Sequence, residues 1–158
     1  MAAMRRPTRN TLLVVAICAG LFAGCSREAA NEKAEPGQDA PGTAPESRQL
    51  ARGEAIYMRQ CAACHQASGQ GLPGVFPPLA GSDFIVNNRQ QSIEALLFGL
   101  AGPITVNGVN YNGVMPSFGH FSDADLSAVL SYVFTSWGNT VEPADVDEVA
   151  AARATRSR

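Results

Sequence analysis

The segment Cys61-Ala62-Ala63-Cys64-His65 decides how the rest of this 158-residue chain is interpreted. Two thiols separated by two residues can reach the two vinyl groups of one porphyrin, and the adjacent histidine is then held under the iron. A thioredoxin-like redox pair would need a βαβ context, and a zinc site would need a second pair of ligands, and the sequence shows neither. The spacing therefore predicts one covalent c-type haem, attached through Cys61 and Cys64 with His65 as an axial ligand.

Composition limits the chain to a small domain without a polyanion-binding surface. The length corresponds to about one domain. Apolar residues make up 46%, charged residues make up 16%, and the formal net charge is -2. A core can therefore form, whereas nucleic-acid binding is not expected. The four cysteines are too few and too unevenly spaced for a disulfide scaffold.

The first 25 residues have the order of a bacterial export signal. Three arginines precede an apolar run over 11–22, which is shorter than the roughly 20 residues of a spanning helix. The stretch Leu21-Phe22-Ala23-Gly24-Cys25 resembles a lipobox, so we expect residues 1–24 to be a lipoprotein-type signal peptide and Cys25 to be lipidated. Several acyl chains on one residue can hold a soluble domain at a membrane. Ordinary secretion with Cys25 as a free thiol, or an uncleaved leader, are the alternatives.

Composition divides the remaining chain into a tether, one folded domain and a tail. Residues 25–47 are rich in Ala, Pro and Glu and are predicted to be a flexible tether. Residues 48–140 contain the cysteine–histidine motif and the apolar periodicity, and they are predicted to be the haem domain. Residues 141–158 end in several arginines without apolar periodicity, so they are predicted to be a disordered tail.

Apolar periodicity independently predicts three short helices in the folded domain. The first spans 49–60, and the second begins at Ser92 and stops near Gly99. The third follows Ser122, a plausible N-cap with Asp125 three residues further on, and its apolar pattern continues to Gly138. Three short helices of this kind can wrap a cofactor that supplies much of the apolar core.

Two residues are candidates for the sixth coordination position of the iron. Met115 lies in a turn-rich segment after a small hairpin predicted over 105–111, and such a segment can lie over a flat macrocycle. His120 lies further on, just before a predicted helix. A lone methionine is commonly a core residue, and a loop histidine is commonly exposed. Spacing favours Met115 and leaves His120 open.

In combination, these motifs resemble a class I monohaem cytochrome c, of the small kind that accompanies periplasmic dehydrogenases, copper nitrite reductases and terminal oxidases. The likeness covers about residues 48–139 and rests on the segments 52–57, 61–65, 76–82 and 112–116. It implies an all-α fold of three or more short helices around one covalent haem c, with a minor hairpin near the distal segment.

The resemblance also implies roles for individual residues. Met115 corresponds to the distal ligand of the family, and the carbonyl of Pro77 or Pro78 corresponds to the acceptor of the His65 ring proton, which fixes the imidazole. Gly53 and Tyr57 correspond to the positions at which the first helix of the family crosses the last.

A haem iron with two protein ligands has no open position for a substrate, so the resemblance implies an electron carrier and not an enzyme. We expect a periplasmic protein of the cell envelope, tethered to a membrane, that passes single electrons between redox proteins of a respiratory chain. Weak docking around an apolar haem edge is expected, since the domain lacks a ring of lysines. One alternative is a permanently bound cytochrome subunit of a dehydrogenase, nitrite reductase or oxidase. The other, with Met115 displaced, is a haem enzyme or gas sensor.

Overall fold

The structure, a computed structural model, describes residues 44–155. The predicted signal peptide, the lipidation at Cys25, the tether up to residue 43 and the last three residues of the predicted tail lie outside the described residues. Within 44–155 the chain forms helices and one antiparallel hairpin, in the order α1 (Pro45–Gln60), α2 (Ala62–His65), α3 (Asp83–Asn87), α4 (Arg89–Phe98), β1 (Leu100–Val106), β2 (Val109–Met115), α5 (Asp123–Thr135) and α6 (Val146–Thr155). None of the helices described in 44–155 is long and apolar enough to cross a membrane.

Helices α1 and α5 cross closely because a glycine lies at their contact. A β-carbon built on the buried Gly53 would lie 2.0 Å from the carbonyl oxygen of Ala128 and 2.9 Å from the β-carbon of Tyr132. Tyr57, one turn further along α1, is fully buried, and its ring centroid lies 5.5 Å from that of Tyr132. The prediction that Gly53 and Tyr57 mark the crossing of the first and last haem-domain helices is confirmed.

The predicted N-cap of α5 is also confirmed. The Ser122 side chain accepts a hydrogen bond from the Asp125 amide at 3.1 Å and donates one to the Asp125 carboxylate at 2.6 Å. The helix ends at Thr135, before the predicted end at Gly138, because Trp137 and Gly138 both adopt positive φ angles. Leu126, Val129 and Phe134 of this helix are buried in the core.

Two helices begin earlier than their patterns predicted. Helix α1 begins at Pro45, inside the predicted tether, where proline is well tolerated because the first turn needs no amide donor. Helix α4 begins at Arg89, so Ser92 lies within the helix, and its hydroxyl donates to the carbonyl of Asn88 at 3.0 Å. Serine favours caps but tolerates an interior position when it bonds back to the preceding turn.

The hairpin is longer than predicted. Asn107 and Gly108 form its two-residue turn with φ angles of 50° and 75°, as a type I′ connection requires. The strands pair from Val106↔Val109 to Leu100↔Met115. Met115 is therefore the last residue of β2 and does not lie in a loop after the hairpin. Asp83 anchors the turn, since its amide donates to the Asn107 side chain at 3.0 Å and its carboxylate accepts from the Asn107 amide at 2.7 Å.

The prediction of a disordered tail over 141–158 is wrong for most of its described part, because residues Val146–Thr155 form α6. Val149 and Ala152 are only 0% and 3% exposed and belong to the same core as α4 and α5. The helix buries two small apolar residues, so its sequence carries almost no periodic signal. Arginine contacts with distant parts of the chain also attach this helix.

Candidate haem-binding site

The two cysteines and the histidine of the motif come together at the turn between α1 and α2. Cys61 is the last residue before α2, and the His65 amide donates to its carbonyl at 2.9 Å. The side chains of Cys61, Cys64 and His65 line one cavity. Burial raises the pKa of the Cys61 thiol to about 11, with the neighbouring Cys64 adding to the effect.

The cavity runs between the motif, the hairpin and α5, and its walls are predominantly apolar. It has an outer part, next to α2 and the hairpin, and an inner part that reaches Val129 and Phe134 of α5. The residues that line both parts are Cys61, His65, Pro77, Leu100, Ile104 and Met115. The two parts therefore adjoin along these shared residues, and together they extend from the motif to the core.

The wall that β1 contributes was missed by the sequence analysis. Leu100, Gly102 and Ile104 line the cavity, whereas the intervening Ala101 and Pro103 are exposed. This alternation has the period of a strand with one buried face, and it was the signal available in the sequence.

His65 is oriented by a main-chain carbonyl. The ring is 8% exposed, and its Nδ1 lies 3.0 Å from the carbonyl oxygen of Pro77. A carbonyl can only accept, so the proton lies on Nδ1, and Nε2 keeps its lone pair. Burial lowers the pKa of His65, partly offset by the bond to Pro77, and this favours the neutral ring that a metal ligand requires. The bond goes to Pro77, while Pro78 lines the inner part of the cavity.

Of the two candidates for the sixth position, Met115 is the one that lines the cavity. It is partly buried and lines both parts of the space, together with His65. His120 is exposed, and its ring packs against Phe121 with centroids 4.6 Å apart. The structure thus brings His65 and Met115 to one cavity and leaves His120 on the surface.

The end of α4 supports the chain around Met115. Gly99 has a φ of 80°, and a β-carbon there would lie 2.8 Å from the Met115 carbonyl oxygen, so the two backbones are in close contact. Beyond Met115, the Ser117 hydroxyl donates to the carbonyl of Leu97. The Phe118 amide donates to the carbonyl of Leu96 at 2.9 Å. These supports join segments that are distant along the chain, so no local sequence pattern indicates them.

The chemistry of the lining fits a covalently attached haem. Two thiols stand at the required spacing, and an imidazole and a thioether are both established ligands of haem iron. The remaining walls are predominantly apolar, which suits a porphyrin face. Among residues 44–155 no group of three or more His, Cys, Asp or Glu side chains could hold a bare metal ion. Site and fold together define a c-type cytochrome.

Comparison with known proteins leads to the same class. Residues 48–133 match the family described as cytochrome c oxidase, cbb3-type, subunit III. Cytochrome c-552 of Thermus thermophilus is 44% identical over 113 residues, which cover 66% of this chain and 86% of that protein. Cytochrome c6 of Synechocystis sp. is 38% identical over 87 residues, which cover 53% of this chain and 62% of that protein.

A third relative is matched over only part of its length. The cytochrome c subunit of the quinone alcohol dehydrogenase of Gluconobacter oxydans is 32% identical over 103 residues, which cover 61% of this chain and 21% of that protein. The chain belongs to the cytochrome family that residues 48–133 match, and it is a class I monohaem cytochrome c. It is an electron-transfer protein that carries haem c covalently, so the predicted family, fold class and cofactor are confirmed.

Proposed function

We propose that this protein is a periplasmic electron carrier, tethered to a membrane, whose haem iron is ligated by His65 and Met115. One observation carries the ligation: these two side chains, far apart in sequence, line the same apolar cavity as the two motif thiols. In the proposed site Cys61 and Cys64 form the thioether links. When bound, haem c supplies a reversible one-electron couple between ferric and ferrous iron.

The protein residues close and tune this site. The Pro77 carbonyl keeps the proton on Nδ1 of His65 and holds the ring in one orientation. A thioether ligand such as Met115 favours the ferrous state and raises the reduction potential. With both axial positions held by the protein, small molecules are kept from the iron, as an electron carrier requires.

Docking of redox partners is proposed at the outer rim of the cavity. Val75 and Val114 line this rim, and they are 51% and 78% exposed. Residues 44–155 contain five arginines and no lysine against ten aspartates and glutamates, so a strongly basic docking face is not expected. Small apolar contacts suit a short-lived complex, in which the carrier must leave after each transfer.

The envelope location and the membrane tether rest on the leader sequence. We propose that residues 1–24 are removed, that Cys25 carries the lipid, and that the proline-containing segment up to α1 gives the domain lateral reach. The proposed partners are respiratory redox proteins, such as a dehydrogenase as donor and a reductase or terminal oxidase as acceptor.

A second candidate function is that of a cytochrome subunit bound permanently to a dehydrogenase. The relatives from acetic acid bacteria favour it, since the names of several state that they are cytochrome subunits of alcohol or fructose dehydrogenases. A carrier is recovered alone after mild detergent extraction of the membrane, whereas a bound subunit is recovered with its enzyme.

The ligation is tested on the chain with haem attached, by absorption spectra of the wild type, Met115→Ala and the control His120→Ala. We expect the sulfur-to-iron charge-transfer band to disappear in Met115→Ala and to persist in His120→Ala, because Met115 lines the cavity and His120 does not. The reduced wild type should bind carbon monoxide only slowly. An unchanged Met115→Ala spectrum, or rapid carbon monoxide binding by the wild type, would contradict the proposal and favour catalysis or gas sensing.

A further inference from the structure

We propose that Arg153, in the C-terminal helix α6, is a positioning residue for Met115 and acts through residues 116–121. The inference rests on the proposed function, in which Met115 is an axial ligand. Residues 116–121 connect the end of β2 to Ser122, the N-cap of α5, and they contain no helix or strand. Their position is therefore set by contacts with other elements.

Arg153 binds this segment at two points, and the first residue of α5 at a third, with one rigid group. Its Nη1 donates to the Gly119 carbonyl and its Nη2 donates to the Phe121 carbonyl at 2.9 Å. Its Nε donates to the Asp123 carboxylate at 2.8 Å. The guanidinium is planar and its donors have a fixed geometry, so one side chain determines the relative positions of all three acceptors.

The segment is also held by α4. The hydroxyl of Ser117 and the amide of Phe118 donate to carbonyls in the last turns of that helix. Gly119 contacts both supports, since a β-carbon there would lie 2.6 Å from the Leu97 carbonyl oxygen and 3.7 Å from Nη1 of Arg153. Both α4 and Arg153 thus hold the chain after Met115.

These contacts have two consequences for the ligand. It limits the motion by which the Met115 thioether could leave the iron, because the chain that follows it cannot shift without breaking the Arg153 bonds. It also holds His120 on the surface, because Arg153 binds the carbonyls of the residues on either side, Gly119 and Phe121. His120 is the other candidate ligand for the same position.

Arg89 provides a matched control. It also anchors the C-terminal region, through the Glu148 carboxylate at 2.7 Å and the carbonyls of Glu142 and Pro143 at 2.7 and 3.0 Å. Its side chain is 30% exposed, against 32% for Arg153. It also lies over the Phe134 ring at 5.0 Å, so its loss should cost at least as much stability. Its hydrogen bonds go to residues 142–148 and not to 116–121.

The test uses the full chain with haem attached and compares the wild type, Arg153→Met, Arg89→Met and Met115→Ala. Three quantities are measured: the thermal midpoint, the intensity of the sulfur-to-iron charge-transfer band, and the rate of carbon monoxide binding to the reduced protein. We expect both arginine variants to lower the midpoint. Of the two arginine variants, only Arg153→Met should weaken the band and speed carbon monoxide binding by about tenfold. This factor corresponds to the loss of one charge-assisted hydrogen bond.

The outcomes separate this inference from the function on which it rests. If Met115→Ala loses the band but Arg153→Met keeps the wild-type band and binding rate, Arg153 only anchors α6 and the inference is wrong. If Met115→Ala keeps the band, or the wild type lacks it, the ligation itself fails and the inference falls with it.

If Arg153→Met does not fold, Arg153→Lys gives a second test, because an ammonium group keeps the charge but not the fork of donors. It should weaken the band by an intermediate amount and speed hydrogen exchange at the Phe118 amide, which donates to Leu96. Wild-type values of both quantities would overturn the inference.

Discussion

At the scale of single residues, one buried amide connects the two segments that frame the inner cavity. Asn139 is 5% exposed. Its Nδ2 donates to the carbonyls of Leu79 and Val133 at 2.8 Å each, and its Oδ1 accepts from the Ser82 amide at 3.2 Å. The chain after Pro77 is thereby joined to the end of α5. No sequence pattern indicated this role, and Asn139 entered the predictions only as the end of the family likeness.

We expect Asn139→Ala to lower the free energy of unfolding by about 2 kcal/mol, because it leaves buried main-chain groups without partners. Chemical denaturation followed by circular dichroism measures this. The control is Asn110→Ala, whose side chain accepts a hydrogen bond from Thr105 on the exposed hairpin, and it should change stability by no more than about 0.5 kcal/mol. Equal losses in the two variants would show that burial of Asn139 has no energetic consequence.

At the scale of elements, the contact between α1 and α5 determines where the haem motif lies. The motif follows α1 directly, and α5 forms one wall of the inner cavity. The distance between the two helices is limited by Gly53, whose missing side chain lets the backbone of α5 approach. A change at this crossing therefore reaches the cavity as well as the core.

Gly53→Ala should destabilise the protein by about 3 kcal/mol, because the new methyl group overlaps a main-chain carbonyl that cannot rotate away. The comparison is Ala55→Ser, at an exposed position of the same helix, for which we expect about 0.5 kcal/mol. Both values come from denaturant titrations of the protein with haem attached. A Gly53→Ala variant as stable as Ala55→Ser would mean that α1 and α5 can separate without cost.

At the scale of the whole molecule, the proposed carrier is a haem domain that residues 25–43 join to a lipid on Cys25. The domain can serve as a carrier only if it is held near its partners and yet remains free to reach them. A lipid on Cys25 provides the first property, because acyl chains contribute about 0.8 kcal/mol per buried methylene to membrane binding. The composition of residues 25–43 is suited to the second.

Cys25→Ala should move the protein from the membrane fraction to the soluble fraction, because the acyl chains have no other attachment point in the proposal. Fractionation of expressing bacterial cells, followed by haem staining, measures this. Cys18→Ala is the matched control, since it removes a cysteine from the apolar run and leaves the lipobox-like stretch intact. Continued membrane association of a Cys25→Ala protein from which residues 1–24 have been removed, as mass spectrometry would establish, would contradict lipidation at this residue.

The sequence by itself determined the features that depend on residues close together in the chain. The cysteine–histidine spacing predicted covalent haem, Ser122 predicted the start of α5, and a predicted hairpin contained the Asn107-Gly108 turn. In each case the geometry follows from bonds within a few residues, so local chemistry is sufficient. The predicted family added the crossing at Gly53.

Only the tertiary structure decided the features that depend on distant contacts. It brought Met115 to the cavity of His65, directed the His65 hydrogen bond to Pro77 and not to Pro78, and packed α6 where a disordered tail was predicted. Helix α6 buries little apolar surface and is fixed by Arg89 and Arg153, whose partners lie far away in the sequence. A periodic pattern shows which side of a helix is apolar, but it does not show which distant carbonyl an arginine will bind. For this reason local features could be predicted from the sequence, whereas features that depend on distant contacts could not.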